Sequence, residues 1–174
     1  LSLEDAQAVA TAAAEGDEVC TAANDNAPGQ IVLSGSKAAI DRAIELAKEK
    51  GAKRSVLLPV SAPFHCALMQ PASDAMAEAL SAVTIMTPAS PVVANVKAEM
   101  VTDPEEIRKL LVEQVCGSVR WRESVLYMKE HGVAELVEIG SGKVLSGLAK
   151  RIDKELSGVS VNSPADIETF LKSL

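Results

Sequence analysis

The sequence ELVEIGSGKVLSGLAKRI, residues 135–152, decides the fold class of this chain. Its apolar start predicts a strand over 135–139, the glycines of 140–142 predict a tight turn, and residues 144–152 follow a helical period. Strands and helices also alternate upstream, with a helix predicted over 69–82, a short strand over 92–96, and helices over 103–115 and 121–129. Such alternation is typical of a parallel sheet covered by helices, so we assign the chain to the α/β class.

The first 60 residues predict a smaller unit with a different order of elements. They predict, in turn, a helix over 3–14, two strands over 19–22 and 31–34, a helix over 36–51 and a strand over 54–60. This order lacks only one strand in front of it to make a ferredoxin-like β-α-β-β-α-β unit.

Turn-forming residues separate these elements. The polar cluster Asn24–Gln30 predicts a loop between the first two strands. After Val60, the stretch around Pro63 fits neither a helix nor an interior strand and predicts a connecting loop. We therefore expect a boundary near residue 60, with one domain over 1–60 and a second over 61–174.

Composition and charge exclude several classes of protein. The 174 residues are 48% hydrophobic, enough to bury a core, and 24 acidic against 17 basic residues give a net charge of −7. An acidic chain with 2% aromatic residues is poorly suited to coat nucleic acid or an anionic membrane, so neither is expected as a partner. The three distant cysteines form no disulfide framework, and the first residues do not resemble a signal peptide, so we expect a cytoplasmic protein.

His65 is the residue best suited to acid–base chemistry. No other acidic or basic side chain lies between Arg54 and Asp74, so this imidazole lies in an apolar stretch that favours the neutral ring. The other histidine, His131, lies at a polar helix end. A neutral imidazole can accept a proton and serve as a general base, and a loop histidine with a purely structural role is the alternative.

The chain shows no nucleophile for such a base to activate. No serine lies in a G-x-S-x-G turn, and Cys66 is flanked by apolar residues, as a core cysteine is. Its two histidines and three cysteines match no metal-ligand spacing, so no metal is expected. We therefore expect the attacking group to lie outside this chain.

Two polar turns are candidate binding sites. The backbone amides of Gly140–Gly142 could face an anion beside Lys143, and a plain turn between a strand and a helix is the alternative. Asn24 and Asn26, one residue apart on the predicted loop, could hold a neutral ligand with an amide-containing arm, and a bare turn is the alternative.

Basic residues cluster twice in this acidic chain, at Lys48, Lys50, Lys53 and Arg54, and at Lys143, Lys150 and Arg151. Each run is either a solvated surface or a surface that attracts an acidic partner.

Taken together, these stretches resemble the malonyl-coenzyme A:acyl carrier protein transacylase family of fatty acid synthesis. The segments that carry the resemblance run in family order along almost the whole chain: NDNAPGQ at 24–30, LPVSAPFHCALM at 58–69, VVANV at 92–96, VRW at 119–121 with Tyr127 and Met128, and EIGSGKVLSGL at 138–148.

The resemblance implies a large α/β-hydrolase-like domain with a small ferredoxin-like domain inserted in it and the active site in the cleft between them. The family's serine in its Gly-His-Ser-Leu-Gly turn, its oxyanion loop and its carboxylate-binding arginine would all precede residue 1. The resemblance therefore implies that the chain is the carboxy-terminal part of a protein nearly twice as long, with the amino-terminal half missing, and that the chain alone is inactive.

The resemblance also assigns roles to single residues. It makes His65 the general base and the backbone carbonyl of Gln114 the group that orients its ring. Phe64, the residue before the base, would select malonyl over methylmalonyl groups. The remaining implied contacts are Asn24 and Asn26 with the substrate, and Lys53, Arg54, Lys143 and Lys150 with the carrier protein or coenzyme A.

The implied reaction moves a malonyl group from malonyl-CoA to a serine and then to the phosphopantetheine thiol of acyl carrier protein. It needs no bound cofactor, and the family implies a monomer. One alternative is an acyltransferase domain of a polyketide synthase, in which the same motifs occur. Another is a non-catalytic binding module or pseudoenzyme, since the chain lacks a nucleophile.

Overall fold

The computed structural model describes residues 1–173 and divides the chain into two units, residues 1–124 and the residues from 125 onward. The elements of the first unit are α1 (Leu3–Ala13), β1 (Cys20–Ala27), β2 (Gln30–Gly35), α2 (Lys37–Glu49), a short 3-10 helix (Ala67–Met69), α3 (Gln70–Ser81), β3 (Val92–Val93), β4 (Met100–Val101) and α4 (Pro104–Glu113). Helix α5 (Trp121–Glu130) runs from the first unit into the second. The second unit continues with β5 (Glu135–Ile139), α6 (Val144–Ile152), β6 (Ser157–Val161) and α7 (Pro164–Leu171).

The first two helices form where the sequence predicts them. Ser2 caps α1, since its hydroxyl accepts a hydrogen bond from the Asp5 amide at 3.0 Å. Small side chains at helical spacing then allow α1 and α2 to approach closely, and a buried cluster forms from Val9, Ala13, Ala43 and Ala47.

Strands β1 and β2 form an antiparallel hairpin that is longer than the sequence predicts. The turn consists of Pro28 and Gly29 alone, and Gly29 has a φ of +74°, which glycine adopts without strain. The loop predicted over 24–30 is therefore wrong, because residues 24–27 belong to β1. A second partner on the other edge of β1 accounts for this: the Asp25 amide donates to the Val119 carbonyl (2.9 Å), and the Val119 amide donates to the Ala23 carbonyl (2.8 Å).

The strand predicted over residues 54–60 is also wrong. Within residues 1–173 no strand pairs with this segment. Its apolar side chains lie exposed at Val56, Leu57, Leu58 and Val60. An apolar run gives the composition of a strand, but a strand also needs a hydrogen-bonded neighbour, and composition does not identify one.

The rest of the first unit confirms its predicted helices and shortens one predicted strand. Asp103 caps α4, its carboxylate accepting from the Glu106 amide at 2.7 Å, and Pro104 occupies the first turn as expected. The strand predicted over 92–96 extends only over Val92–Val93, because the chain turns back at Ala94, whose amide bonds to the Glu99 carbonyl.

The second unit contains a parallel strand pair, as the alternation of elements predicts. Strands β5 and β6 pair in parallel from Glu135 beside Ser157 to Ile139 beside Val161, with α6 as the connection between them. The bounds of β5 and α6 coincide with the predicted ones, whereas β6 and α7 were not predicted. None of the helices within residues 1–173 has the length and apolar character of a membrane span.

Candidate functional site

His65 lies in the loop that leads into α3, and its backbone is strained. Its φ of +59° is in the left-handed region, which costs about 1–2 kcal/mol for a residue with a side chain. The neighbouring Cys66 is 1% exposed and its thiol donates to the Pro63 carbonyl at 3.1 Å. Cys66 is therefore a core residue, as predicted, and it anchors the loop that holds the half-buried imidazole.

The ring of His65 is oriented by a backbone carbonyl. Its Nδ1 lies 3.0 Å from the carbonyl oxygen of Gln114. Gln114 is the C-cap of α4, and the last carbonyls of a helix lack a partner within it, so this oxygen is free to accept. Because an acceptor faces Nδ1, the proton of the neutral ring belongs on that nitrogen, which leaves Nε2 to accept a proton. The roles assigned to His65 and Gln114 stay predictions.

Two polar side-chain pairs, one of which includes Gln114, were missed by the sequence analysis. Asn95 donates through Nδ2 to the side-chain oxygen of Gln114 at 2.7 Å. Asp25 is 2% exposed, and its Oδ2 lies 2.8 Å from Nε and 2.7 Å from Nη2 of Arg122. This hydrogen bond raises the pKa of Arg122. Each pair had one weak signal in the sequence: Asn95 is a polar residue inside a predicted strand, and Asp25 lies in a predicted turn.

Asn24 and Asn26 flank the buried Asp25 on β1 and are half-buried. Within residues 1–173 neither side-chain amide has a hydrogen-bond partner, and the substrate contact assigned to them stays a prediction. Phe64, beside His65, is 47% exposed and therefore is not a core aromatic residue. No hydrogen bond or ring contact joins these three side chains to the His65–Gln114 pair in the described part of the chain.

The basic residues differ in their partners. Lys48 pairs with Glu45 at 2.6 Å, and Lys50 lies 3.8 Å from Asp5. By contrast, four exposed basic residues have no ion-pair partner within residues 1–173: Lys53, Arg54, Lys143 and Lys150. These four keep their charge available to an acidic partner.

The turn at 140–142 does not leave the helix end behind it open to an anion. The carboxylate of Glu138 accepts from the Leu145 amide at 3.2 Å, and from the amide and hydroxyl of Ser146 at 2.8 and 2.9 Å. These bonds, that from the Ser146 amide above all, lower the pKa of Glu138. The protein's own carboxylate therefore occupies the start of α6, and the geometry favours the plain turn over the anion site.

Among the cysteines of residues 1–173, all three are free thiols, and burial raises the pKa of Cys20. No group of three or more His, Cys, Asp or Glu side chains in that range is placed to hold a metal ion.

Comparison with known proteins identifies relatives along almost the whole chain. It is 48% identical over 161 residues to the malonyl CoA-acyl carrier protein transacylase of Haemophilus influenzae, covering 91% of this chain and 52% of that protein. It is 46% identical over 160 residues to the Escherichia coli K12 protein of the same name, covering 92% of this chain and 52% of that protein. No family model matches the chain.

Solved structures give the same result. The chain superposes with a TM-score of 0.94 and 50% identity on an acyl-carrier-protein-S-malonyltransferase from Bartonella henselae, covering 99% of this chain and 55% of that chain. It superposes with a TM-score of 0.95 and 42% identity on a malonyl-transacylase in complex with its type II PKS acyl-carrier protein, covering 100% of this chain and 56% of that chain.

The resemblance indicated by the motifs is therefore confirmed, and the chain has an α/β fold. The chain spans about half the length of the curated relatives that it matches.

Proposed function

We propose that this chain, which resembles malonyl CoA-acyl carrier protein transacylases over about half of their length, is the carboxy-terminal part of such an enzyme and supplies its general base. The observation that carries the proposal is the 3.0 Å contact between Nδ1 of His65 and the Gln114 carbonyl, which leaves Nε2 ready to accept a proton. The amino-terminal part of that enzyme supplies the serine nucleophile.

In the first half-reaction, Nε2 of His65 takes the hydroxyl proton as the serine oxygen attacks the thioester carbonyl of malonyl-CoA. The tetrahedral intermediate then collapses, the carbon–sulfur bond breaks, and the imidazolium returns the proton to the coenzyme A thiolate. In the second half-reaction, the same nitrogen takes the proton of the carrier's phosphopantetheine thiol, and the thiolate attacks the malonyl ester. The bond between the malonyl carbon and the serine oxygen then breaks, and the imidazolium returns the proton to that oxygen, which restores the serine hydroxyl and the neutral base. The Gln114 carbonyl keeps the ring aligned through both steps without adding a charge.

The proposal includes the finer features of fold and setting that the family implies. The complete enzyme has an α/β-hydrolase-like large domain and an inserted ferredoxin-like domain, to which residues 1–60 belong. It acts as a cytoplasmic monomer and binds coenzyme A only as part of its substrate. On this proposal, residues 1–174 by themselves are inactive because they contain no nucleophile.

The experiment that tests the proposed reaction uses the complete enzyme that contains this chain. Incubation with malonyl-CoA and a carrier protein bearing phosphopantetheine should convert the carrier to its malonyl thioester, as followed by the intact mass of the carrier. Acetyl-CoA in place of malonyl-CoA is the matched control and should give little product. If the carrier is still unmodified after incubation with malonyl-CoA, the proposed reaction is wrong.

Phe64 should contribute to the choice of acyl group. Its half-exposed ring stands immediately before the base, where it would fill the space that the α-methyl group of methylmalonyl needs. In the complete enzyme, Phe64→Ser should shift the ratio of kcat/KM for methylmalonyl-CoA over malonyl-CoA upward by about tenfold, a typical value for one methyl group in a pocket. An unchanged ratio, or an equal loss for both thioesters, would mean that Phe64 is only structural.

The unpaired basic residues should help to bind the acidic carrier or the coenzyme A phosphates. Charge reversal at Lys53 or Lys150 in the complete enzyme should raise KM for the carrier by roughly three- to tenfold at low salt, and less at high salt, because salt screens exposed charges. Lys37→Glu is the matched control, since Lys37 is also exposed to solvent but already pairs with Asp41 at 2.7 Å. Equal KM values for all three variants at low ionic strength would make these residues plain surface.

A second candidate function differs in the carrier protein. It is favoured by the superposition on a transacylase that was solved in complex with a type II PKS acyl-carrier protein. The chemistry at His65 would be the same, and the malonyl group would enter polyketide synthesis. Comparison of kcat/KM for a fatty acid carrier and a polyketide carrier from the same source distinguishes the two functions.

A further inference from the structure

The carbonyl that orients His65 belongs to Gln114, and the side chain of Gln114 is itself held by a hydrogen bond. Gln114 accepts a hydrogen bond from Asn95 Nδ2 at 2.7 Å through its side-chain oxygen, while its backbone oxygen lies 3.0 Å from His65 Nδ1. Gln114 thus joins Asn95 to the imidazole of His65: its side chain contacts Asn95, and its backbone carbonyl contacts the ring.

This support matters because Gln114 stands at a helix end. The amide of Gln114 still bonds back to Leu110 at 3.0 Å, but its carbonyl lies past the last turn of α4, and helix ends fray. The Val115 amide, in the same peptide unit as that carbonyl, bonds to the Val112 carbonyl at 3.2 Å. The remaining freedom of the Gln114 carbonyl depends on contacts from outside the helix. The hydrogen bond from Asn95 is such a contact, and it fixes the Gln114 side chain and with it the last turn.

Asn95 stands on a segment that is held by Arg120. The Asn95 carbonyl accepts from the Arg120 amide at 3.3 Å, and Nη1 of Arg120 donates to the carbonyls of Val96 and Lys97 at 3.1 Å each. Ala98, three residues after Asn95, is buried at a φ of +55°, a conformation that persists only where the surroundings enforce it. The side-chain amide of Asn95 is therefore attached to a backbone segment that is held in place.

We propose that Asn95 is a positioning residue for the base: it fixes Gln114, and the Gln114 carbonyl fixes the orientation and tautomer of His65. The proposal rests on the proposed function, because it deepens the account of that same base. No hydrogen bond joins Asn95 to the imidazole within residues 1–173, and on this proposal its effect passes through Gln114.

The test measures malonyl transfer by the complete enzyme and its Asn95→Ala, Gln114→Ala and double variants. Misplacement of a catalytic group lowers rates steeply, so each single variant should lose roughly ten- to a hundredfold in kcat with little change in KM for malonyl-CoA. Because both substitutions remove the same bond, the double variant should be no slower than the slower single variant.

Ser73→Ala is the matched control. Ser73 is 6% exposed, and its hydroxyl donates to the Val112 carbonyl at 3.2 Å, so this variant removes another hydrogen bond to the same end of α4. It should lower the melting temperature but leave kcat within about twofold, because the Val112 carbonyl keeps its 3.2 Å hydrogen bond from the Val115 amide, in the peptide unit of the Gln114 carbonyl, when the Ser73 hydroxyl is removed. Equal losses of kcat for Ser73→Ala and Asn95→Ala, or additive losses in the double variant, would overturn the proposal.

A spectroscopic readout separates this proposal from the proposed function. Nitrogen-15 spectra of the imidazole at a pH where the ring is neutral should show the Nδ1–H tautomer of His65 in the complete enzyme. Asn95→Ala should mix the two tautomers, whereas Ser73→Ala should not. An unchanged tautomer in Asn95→Ala overturns the positioning role even if the enzyme transfers malonyl, and a changed tautomer supports it even if the acyl group proves to be a different one.

Discussion

Replacing His65 by alanine in the complete enzyme is expected to lower the rate of malonyl transfer by roughly two to four orders of magnitude, the usual contribution of a positioned acid–base group. The loss should appear in both half-reactions, because the same nitrogen takes the serine proton and later the carrier thiol proton. Rapid-quench measurement of malonyl-enzyme formation and of its transfer to the carrier follows the two steps separately.

His131→Ala is the control for this substitution. The Nδ1 of His131 also lies near a backbone carbonyl, that of Tyr127 at 2.8 Å, but the residue is exposed and stacks on the Tyr127 ring. Its loss should leave transfer within about twofold, as for surface substitutions away from a site. A His65→Ala enzyme that works within a few-fold of the original would remove His65 from the mechanism.

The second large effect is expected on stability, at Asp25. Its carboxylate is buried and pairs with Arg122, which is itself 28% exposed, so Asp25→Ala leaves the guanidinium only partly desolvated and without its partner. Breaking a buried pair from one side costs 3–5 kcal/mol, and the partial exposure of Arg122 reduces that to about 2 kcal/mol. Chemical unfolding of the complete enzyme measures the loss.

Two further variants show whether the pair itself is responsible. Asp41→Ala removes an exposed ion pair with Lys37, and it should change the free energy of unfolding by less than about 0.5 kcal/mol. Arg122→Met combined with Asp25→Ala should recover part of the loss, because no unpaired charge then remains. If Asp25→Ala is as mild as Asp41→Ala, the buried pair does not hold the hairpin of β1 and β2 to the segment around Val119.

The elements that could be predicted from the sequence are those whose signal is local. Strand β5 and helix α6 match their predicted bounds because an apolar run, a glycine turn and a helical period follow one another within 18 residues. Residues 24–27 could not be assigned to a strand, because their side chains are typical of a turn and the second partner of this part of β1, Val119, is distant in sequence. The segment 54–60 shows the opposite case, an apolar composition without a neighbouring strand among the described residues.

In the candidate site, too, residues with a local signal could be predicted, and residues paired with distant partners could not. His65 could be singled out from its neighbours, since no other charged side chain occurs for many residues around it. Gln114 entered only through the family resemblance, because nothing in its local sequence points to its carbonyl. The pairs Asn95–Gln114 and Asp25–Arg122 join residues that are 19 and 97 positions apart, and no period or turn rule relates such positions.

The central claim, that His65 serves a nucleophile outside this chain, is tested most directly by locating the acyl group on the complete enzyme. The enzyme is mixed with radiolabelled malonyl-CoA, treated with protease, and the labelled peptide is identified and exposed to hydroxylamine. We predict a hydroxylamine-sensitive malonyl ester on a serine that lies outside residues 1–174, formed rapidly in the original enzyme and far more slowly in His65→Ala. A label on any residue of 1–174, or no covalent label at all, would contradict the account.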